Sequence, residues 1–449
     1  MHIYQPPTQK EIWVRRITDE SYRKLIKGLI EIPRAKLTLN INGILCELLE
    51  RWGGKDILHG IKQLLKNGNL ELTGSAKYHA FLPFLPESEV ERQIKLNEES
   101  LDKYFGDLWR QAGKKGFFSP EMAYSKKVAR VAKKLGYQWI IIDELAFPVG
   151  EKQSSRTVYT IKEFDDFAVF FRDRSLSFSI LSSKGAGAAP TILRYLGERL
   201  TRDEYVVTAM DGETFGHHRP GLETLLFDLL RAEQIIPSKV SDLIEAYKDR
   251  EAIEPNDSTW ATTKQNLKDN TPFSRWKSEG NIIQKWQWEL TDLAIGIVSK
   301  ESENKNLRKL LDEALHSDQY WWASARPWWS LEMIERGAFE LKAIILKSHA
   351  ATAREKEQAE EFYKNIIYTG FEWQRSGLVD QISRQEDEEV KERLNEKEKF
   401  FITKDEYKQM IKVLEEQIQS AAKAEEYHRA AMIKDRIREL KEEMEKAPK

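Results

Sequence analysis

Acidic and polar side chains stand directly after three segments with strand-like patterns. From spacing alone, Glu121 and Asp211 could face each other if two strands end on the same side of a sheet. A facing pair of carboxylates suits hydrolysis of a glycosidic bond, because one attacks or activates water and the other, with a raised pKa, protonates the leaving oxygen. Solvated loop carboxylates or helix N-caps remain the alternative. The three strings are His2-Ile3-Tyr4-Gln5-Pro6-Pro7, Gly116-Phe117-Phe118-Ser119-Pro120-Glu121-Met122-Ala123-Tyr124 and Thr208-Ala209-Met210-Asp211-Gly212-Glu213-Thr214-Phe215-Gly216.

The elements that would position these residues alternate along the chain to about residue 290. Helical spacing predicts helices over 87–104 and 125–135. Strand, helix, strand repetition indicates an α/β fold with a parallel sheet, and the length favours a βα barrel over an open sheet. Catalytic residues should then collect at the carboxyl ends of the strands. Short apolar runs bounded by glycine, proline or polar turns predict strands at 37–41, 69–72, 115–118, 139–142 and 205–208.

Taken in order, four strings resemble the conserved regions of the retaining, α-glucan-active glycoside hydrolases of family 57. His2 to Pro6 is similar to the first region, and Asn69 to Pro83, a strand leading to His79, is similar to the second. Pro120-Glu121-Met122-Ala123-Tyr124 resembles the third region, and Met210 to Gly216 resembles the fourth. Four ordered motifs are far more specific than any one of them.

The resemblance covers roughly residues 1 to 340 and implies an incomplete (β/α)7 barrel followed by a helical region. It implies that Glu121 is the nucleophile and Asp211 the acid/base of a double displacement, with no catalytic metal and no cofactor. In the family, the histidine and glutamine of the first region line the sugar site. We therefore predict substrate contacts from His2, Gln5, His79, Glu213, Trp321 and Trp322.

Two features depart from the family pattern. A whole hydrophobic strand normally precedes the first motif, whereas only Met1 does here, so either the first strand is abbreviated or the sequence begins late. The fifth conserved region is recognisable only loosely, from Asp318-Gln319-Tyr320-Trp321-Trp322 through Trp329. The chain has 13 tryptophans, whose indole faces suit sugar rings but also fill cores and helical seams. Contacts on the acceptor side of the site are therefore left unassigned.

The histidines allow a metal interpretation that the sequence disfavours. His217 and His218 are adjacent, but neighbouring histidines on a strand or loop point apart, and a metal site needs a third ligand with aligned geometry. We expect no metal. His2 and His79 suit hydrogen bonding, because neutral imidazole can donate to one sugar hydroxyl and accept from another group. The alternative is that both are ordinary packed histidines.

The sequence divides into four predicted parts. Residues 1–290 are the barrel, 291–375 a helical subdomain, 376–404 a charged linker and 405–446 a helical hairpin. The linker is dense in charge and poor in apolar anchors, which fits a solvated helix or mobile connection. Few contacts should cross the linker, so we expect the hairpin to contact the barrel little.

The last segment predicts two antiparallel helices with one apolar stripe each, joined by Ala422-Lys423-Ala424-Glu425. It resembles the UVR motif of bacterial excision-repair proteins and some protease adaptors, although Glu425 replaces the usual leucine and Lys434 the usual arginine. The resemblance implies a protein partner or self-association, and no DNA binding. The alternative is a solubilised coiled-coil tail. The stripes would bury only one another in isolation, which should leave apolar surface on Tyr407, Leu414, Ile437 and Leu440.

Composition narrows the possible classes of function. The 449 residues carry a formal charge of −2, from 71 basic and 73 acidic side chains, which excludes a strongly basic nucleic-acid coat. No apolar run approaches the roughly 20 residues needed to span a bilayer. The single Cys46 cannot form an intrachain disulfide. A soluble, cytoplasmic protein is therefore expected.

These observations predict an enzyme that acts on α-glucans or maltooligosaccharides. The sequence does not choose among amylase, 4-α-glucanotransferase and branching activity, because acceptor-side loops decide whether water or a sugar hydroxyl reacts. The rival hypothesis is a catalytically weak glucan-binding or adaptor protein acting through its UVR-like hairpin. Metal-dependent deacetylation is disfavoured, because the sequence has no Asp-Asp pair near a His-x-x-x-His pattern.

Overall fold

Eight strands form one mostly parallel sheet in the computed structural model, which describes residues 1–111, 113–183, 187–326, 328–385, 402–423 and 426–446. The strands are β1 (His2–Ile3), β2 (Leu37–Ile41), β3 (Leu70–Gly74), β4 (Gly116–Phe117), β5 (Trp139–Asp143), β6 (Val158–Ile161), β7 (Phe164–Arg172) and β8 (Arg250–Ile253). Their order in the sheet is β1-β2-β3-β4-β5-β7-β6-β8. Neighbours run parallel except β6 and β7, which are antiparallel. The predicted α/β class is confirmed.

The predicted strands at 37–41, 69–72, 115–118 and 139–142 correspond to β2, β3, β4 and β5. The predicted strand at 205–208 is wrong, because its backbone groups find partners outside a ladder. The Tyr205 N–H donates to the Ser155 carbonyl at 2.9 Å, and the Ala209 N–H donates to the Ser177 hydroxyl at 3.3 Å. Only Val207 forms a bridge, to the last residue of β7.

The sheet closes only partly into a barrel. Val207 makes its single parallel bridge with Arg172 of β7, and Asp211 makes a single parallel bridge with His2 of β1. The segment 207–211 therefore spans the gap between the first strand and β7 through isolated bridges. The result is an incomplete barrel, and the incomplete edge lies beside Asp211.

Helices cover the outer face of the sheet. The predicted helices at 87–104 and 125–135 are confirmed as α5 and α7, and the Ser125 hydroxyl caps α7 by accepting from the Val128 N–H. A π-helical turn, Thr18–Tyr22, joins α1 to α2. The helices are α1 (Glu11–Ile17), α2 (Arg23–Ile30), α3 (Gly43–Arg51), α4 (Lys55–Lys66), α5 (Glu87–Phe105), α6 (Leu108–Gln111), α7 (Lys126–Lys134), α8 (Arg174–Ser182), α9 (Ala189–Leu196), α10 (Leu222–Arg231) and α11 (Val240–Ala246).

Alternation in β2 places polar side chains on the inner face of this part of the sheet and apolar side chains on its outer face. Leu39 and Ile41 belong to the core beneath the surrounding helices. Asn40, on the opposite face, is buried and donates to the Thr73 hydroxyl of β3 at 3.0 Å. The period of two in a strand produces this separation of faces. Polar groups inside the barrel are therefore ready to orient the residues at its mouth.

Helices α12 (Lys264–Lys268), α13 (Ile282–Lys300), α14 (Lys305–Ala314), α15 (Asp318–Trp322), α16 (Leu331–Lys347) and α17 (Ala353–Arg375) follow the sheet, and 378–385 is also helical. The predicted boundary at residue 290 falls inside α13, which packs against α16 and α17, so the helical region begins near residue 282. Residues 386–401 of the predicted linker lie outside the described residues. No described helix combines the length and apolar character needed to cross a membrane.

The C-terminal helices α18 (Lys404–Lys423) and α19 (Tyr427–Lys446) pack against each other as a hairpin. Two residues of the predicted turn, 424 and 425, lie outside the described residues. The expectation of little contact with the barrel is wrong. Leu414 and Leu440 are fully buried in an apolar cluster that also contains Leu222 and Leu225 of α10. The stripes expected to keep exposed surface are thus covered by the barrel's own helices.

Candidate active site

Glu121 lies in a tight turn directly after β4. Its backbone is left-handed, with φ 60° and ψ 17°, and Met122 follows with φ 49°. Consecutive non-glycine residues in this region store strain, and such strain concentrates at functional sites. The turn is held by hydrogen bonds from the Met122 N–H to the Ser119 carbonyl and from the Ala123 N–H to the Pro120 carbonyl, at 2.9 and 3.0 Å. The carboxylate is thereby fixed at the carboxyl end of its strand.

Neighbouring side chains hold the Glu121 carboxyl in place. The Trp260 indole N–H donates to Oε2 at 2.9 Å, and Nδ1 of His79 lies 3.8 Å from Oε1. The Ser317 hydroxyl also forms a hydrogen bond with this carboxyl. Its side chain is 16% exposed, so a narrow part of it remains open to solvent or substrate.

Burial, followed by the charges of Asp211 and Asp318, raises the pKa of Glu121 to about 8, against the hydrogen bonds from Trp260 and Ser317. A coulombic effect of this kind falls with distance, so the three carboxyl groups share one region. Glu121 therefore holds a proton more firmly than an ordinary surface glutamate.

Asp211 lies beside the open edge of the barrel. The His2 N–H donates to the carbonyl of the preceding residue, Met210, at 2.9 Å, which holds the segment against β1. Burial raises the pKa of Asp211 to about 6, while the Arg172 guanidinium opposes the rise. Asp211 and Glu121 thus both titrate nearer to neutral pH than free carboxyls do.

Glu213 and Gln5 lie at the site and are hydrogen-bonded to each other. Oε1 of Glu213 accepts hydrogen bonds from the Tyr4 N–H at 3.0 Å, from the Tyr22 hydroxyl and from Nε2 of Gln5 at 3.4 Å. Burial, followed by the charge of Asp211, raises the pKa of Glu213 to about 7. Gln5 and Glu213, both predicted to contact the substrate, are each 6% exposed, so any contact with a sugar would use a small part of each side chain.

His2 and His79 form an aromatic stack with Tyr4. The Tyr4 and His79 rings are 3.9 Å apart and nearly parallel, and the His2 and His79 rings are 5.1 Å apart. Burial lowers the pKa of His79 to about 4 and that of His2 well below its usual range. Both rings are neutral at pH 7. His79 Nδ1 bonds to the Ser317 hydroxyl at 3.0 Å, and its Nε2 is buried without a partner among the described residues.

Three further residues join the site without having been assigned a role from the sequence. Asp318 accepts from the Tyr4 hydroxyl at 2.7 Å and bonds to Nδ1 of His316 at 3.1 Å. Burial raises the pKa of Asp318, but the hydrogen bond and charge of His316 bring it below the usual value. Trp260 and Ser317 bind Glu121 from segments far along the chain. Asp318 stood inside the fifth motif, which was its available signal, whereas Trp260 had none.

Trp321 and Trp322 lie in α15, which begins with Asp318. Their rings are 4.9 Å apart, edge to face, and both side chains are partly buried against the core of the helical region. Buried amides hold the helix, since Gln284 donates to the Tyr320 carbonyl at 2.9 Å and Gln287 to the Gln319 carbonyl at 3.0 Å. The structure therefore connects these tryptophans to the site through α15, and their contact with sugar stays a prediction.

His217 and His218 lie after the Asp211 motif, with their rings 4.8 Å apart. Nδ1 of His217 is 2.6 Å from Oε2 of Glu20 on the π-helical turn. Within the described ranges, no group of three histidine, cysteine, aspartate or glutamate residues has an arrangement suited to a metal ion. His217 instead ties the loop to the N-terminal helices.

A parallel α/β sheet with buried carboxyls on its strand-end loops is the architecture of a barrel enzyme. Residues 4–254 match the family described as glycosyl hydrolase family 57, and the chain belongs to this family. This confirms the resemblance drawn from the four ordered motifs.

This chain spans only part of the length of the named relatives that it matches. An α-amylase of Pyrococcus horikoshii is 26% identical over 233 residues, which are 51% of this chain and 35% of that protein. A putative α-amylase of Methanocaldococcus jannaschii is 27% identical over 322 residues, which are 67% of this chain and 64% of that protein. A 4-α-glucanotransferase of Thermococcus litoralis is 26% identical over 204 residues, which are 44% and 29% of the two chains.

Solved structures share the fold. The crystal structure of a family 57 branching enzyme from Thermococcus kodakaraensis aligns with a TM-score of 0.61 at 15% identity, over 83% of this chain and 95% of that chain. A branching enzyme from Pyrococcus horikoshii aligns with a TM-score of 0.61 at 17% identity, over the same shares of both chains. At such identities the likeness concerns the fold alone, and it agrees with an incomplete barrel followed by helices.

Proposed function

We propose that this chain is a retaining α-glucan glycosidase or transglycosylase in which Glu121 is the nucleophile and Asp211 the acid/base. The observation that carries the proposal is geometric: Asp211 bridges to His2, whose ring lies 5.1 Å from that of His79, and Nδ1 of His79 lies 3.8 Å from Oε1 of Glu121. The charge of Asp211 raises the pKa of Glu121, which agrees with two buried carboxyls in one site. Retaining pairs are about 5 to 5.5 Å apart, and this separation remains our prediction for their carboxyl oxygens.

The proposed reaction has two displacements. Glu121 attacks the anomeric carbon while Asp211 gives its proton to the leaving glycosidic oxygen, which breaks the bond and forms a glycosyl ester on Glu121. Asp211, now ionised, then takes a proton from the incoming hydroxyl as that oxygen attacks the same carbon and releases Glu121. Water as the acceptor gives hydrolysis, and a sugar hydroxyl gives transfer.

In the free site the proton lies mainly on Glu121, the proposed nucleophile. The reason is that the pKa is about 8 for Glu121 and about 6 for Asp211. Positive charge developing at the anomeric carbon favours ionised Glu121, and a leaving oxygen beside Asp211 favours the proton there. Substrate binding is thus proposed to move the proton. Exchange of the two roles is the second candidate, and the pKa order is the observation that favours it.

The configuration of an azide product separates these assignments. We propose to give α-maltosyl fluoride and sodium azide to the Asp211→Ala and Glu121→Ala variants. Without an acid/base, the glycosyl ester on Glu121 still forms and azide opens it to the α-maltosyl azide. Without the nucleophile, azide enters the vacated space and gives the β-maltosyl azide directly. Anomeric couplings in proton NMR distinguish the products, and Glu198→Ala, which removes an 85% exposed carboxylate, is the control.

The opposite pair of configurations would exchange the roles of Glu121 and Asp211. Turnover of starch by both variants at the rate of the Glu198→Ala control would reject this site altogether. If instead the wild type turns over neither starch nor α-maltosyl fluoride, the adaptor hypothesis, with a barrel that binds glucan or nothing, would replace the enzyme hypothesis.

The names of the relatives support an α-glucan substrate and leave the choice of acceptor open. We propose that His2, Gln5, His79 and Glu213 bind the sugar beside the carboxyls, and that Trp321 and Trp322 also bind the substrate. The orphaned Nε2 of His79 supports the first part, because a buried polar atom without a partner is costly unless a ligand supplies one.

Further expectations concern the rest of the chain and stay predictions. The division into four parts, with the helical region beginning near residue 282, the cytoplasmic location and the kinship of the hairpin with the UVR motif belong here. A protein partner or self-association through 405–446 also stays a prediction. Support for a partner is limited to Tyr427, a motif residue 70% exposed at the start of α19, because the principal apolar stripes of the hairpin are buried.

A further inference from the structure

The loop that carries Asp211, which we call the acid/base loop, runs from residue 211 to residue 221 and folds as a compact unit. The Thr214 N–H donates to the Asp211 carbonyl at 3.3 Å, the His218 N–H to the Glu213 carbonyl at 3.0 Å and the Arg219 N–H to the Thr214 carbonyl at 3.1 Å. Because successive turns are tied together, a displacement at one end of the loop is transmitted to the other.

The far end of the acid/base loop is clamped against the hairpin. Gly221 has φ 91°, and its N–H donates to Oε2 of Glu223 at 2.8 Å. A Cβ at this position would lie 2.9 Å from Oε1 of Gln417 and 3.3 Å from Leu414, both on α18. The loop therefore ends in direct contact with the C-terminal hairpin, at a position where the left-handed backbone favours glycine.

Glu223 connects the loop to the second helix of the hairpin. While Oε2 accepts from Gly221, Oε1 lies 2.6 Å from Nη2 of Arg429 on α19. The side chains of Glu223 and Arg429 are 6% and 14% exposed. Arg429 also lies 3.1 Å from Oε2 of Glu426 through Nη1, so loss of Arg429 would leave the buried Glu223 carboxylate without its ion pair, which makes this pair hard to break. Gln417 adds a hydrogen bond of 2.8 Å to the Thr224 hydroxyl.

Apolar packing reaches the near end of the same loop. Met210, directly before Asp211, and Phe215 within the loop belong to the apolar cluster that contains Leu414, Ile433 and Leu440 of the hairpin. The cluster and the Glu223 pair thus contact the loop on both sides of the Asp211 motif. A free-swinging tail would make neither contact.

We infer that the hairpin is an internal brace of the acid/base loop and that Arg429 positions this loop through Glu223 and Gly221. The role given to Asp211 rests on the proposed function. The consequence is kinetic, because misplacement of a reacting group by about 1 Å can cost on the order of a hundredfold in rate. Arg429 acts through other residues and touches no substrate, so it is a positioning residue.

The test compares Arg429→Met, Arg429→Lys and the control Arg438→Met in the full chain. Arg438 is a 72% exposed arginine on the same helix, paired with Asp435 of that helix. Amide hydrogen exchange by mass spectrometry reports on 212–221. Turnover of maltoheptaose, whose leaving group needs a proton, is compared with turnover of α-maltosyl fluoride in azide, which needs neither acid nor base help from Asp211.

In Arg429→Met we expect amides of 212–221 to exchange at least about tenfold faster and kcat on maltoheptaose to fall roughly tenfold, with KM and the rate on the fluoride within about twofold. Arg429→Lys should recover part of both losses, and Arg438→Met should match the wild type. Equal exchange of 212–221 in Arg429→Met and the wild type would overturn the brace. Equal losses on both substrates would assign Arg429 to general stability. If the wild type turns over neither substrate, the proposed function fails while the exchange result still decides the brace.

Discussion

The mouth of the barrel, around Glu121 and Asp211, and the surface where the hairpin docks bury opposite kinds of side chain. The mouth buries carboxyls whose pKa values rise to about 8 at Glu121, about 6 at Asp211 and about 7 at Glu213. It also holds His79 and Glu121 in left-handed backbone. The dock, where α18 and α19 meet the barrel, buries Leu414 and Leu440 completely in an apolar cluster. One region costs folding free energy and the other contributes it.

This difference separates what each region does. Buried ionisable groups and strained backbone oppose folding, so they persist where the surrounding structure over-determines them. Burial of apolar surface elsewhere in the molecule contributes the stability that offsets this cost, at about 25 cal/mol per Å². The comparison therefore predicts that substitutions in the mouth change chemistry more than stability. Truncations of apolar side chains in the dock should do the reverse, in contrast to substitutions of the positioning residue Arg429.

The largest expected effect belongs to Glu121→Gln. The amide keeps the volume but cannot form the glycosyl ester, so kcat on maltooligosaccharides should fall by at least roughly a thousandfold, about 4 kcal/mol. Stability should rise, because the amide avoids the cost of burying an ionisable carboxyl. Reducing-sugar release and thermal unfolding measure the two effects.

The pH dependence of that stability gain fixes its cause. The pKa of Glu121 is raised from 4.5 in the unfolded chain to about 8 in the folded one. The folded state therefore binds the proton more tightly, and the wild type loses stability as pH rises from about 4.5 to 8. Glu121→Gln should thus gain at least about 2 °C more in Tm at pH 8 than at pH 5. A Tm that falls in Glu121→Gln would show that this carboxyl stabilises the fold, and the contrast between mouth and dock would fail.

The sequence predicted the strands that lead to the mouth of the barrel better than the segment at its incomplete edge. Strands such as 139–142 were predictable because an apolar run bounded by polar turns has few other ways to be buried. The segment 205–208 has the same local pattern, but Tyr205 and Ala209 satisfy their backbone N–H groups at a turn and a side chain. Local sequence does not encode whether a neighbouring strand is available to pair.

The dock illustrates a second limit. The spacing of Leu414 and Leu440 predicted helices with apolar stripes, which the structure has, but a stripe does not specify what covers it. The covering surface comes from α10, some 200 residues earlier in the chain by the numbering of Leu222 and Leu225. Trp260 was missed for the same reason, because a single donor that reaches Glu121 across the fold has no local pattern.

The next largest effect tests the dock. Leu440→Ala removes a fully buried side chain from the shared cluster, and such truncations cost about 2 to 5 kcal/mol of unfolding free energy. We expect about 3 kcal/mol by urea denaturation, with kcat at 25 °C within about threefold of the wild type. Tyr427→Ala, at a 70% exposed position of the same hairpin, is the control and should change stability by less than about 0.5 kcal/mol. Equal, small effects of both variants would mean that the hairpin is not docked in solution.

The smallest of the three effects lies within the mouth, at Trp260→Phe. The phenyl ring keeps an aromatic surface beside His2 and Phe118 but removes the indole N–H that donates to Oε2 of Glu121 at 2.9 Å. A hydrogen bond to a charged group contributes about 1.5 to 3 kcal/mol, so kcat should fall roughly thirtyfold, about 2 kcal/mol.

The pH profile gives a second measurement on Trp260→Phe. Because the indole N–H lowers the pKa of Glu121, its loss should raise that pKa. If ionised Glu121 is the attacking group, the acidic limb of the kcat/KM profile must then move to higher pH, and the deficit must be larger at pH 6 than at pH 9. Trp328→Phe, at a 59% exposed indole, should leave the profile in place. Movement of the alkaline limb to higher pH, with the acidic limb unchanged, would instead indicate that Glu121 acts in its protonated form, which is the exchanged assignment of the two carboxyls.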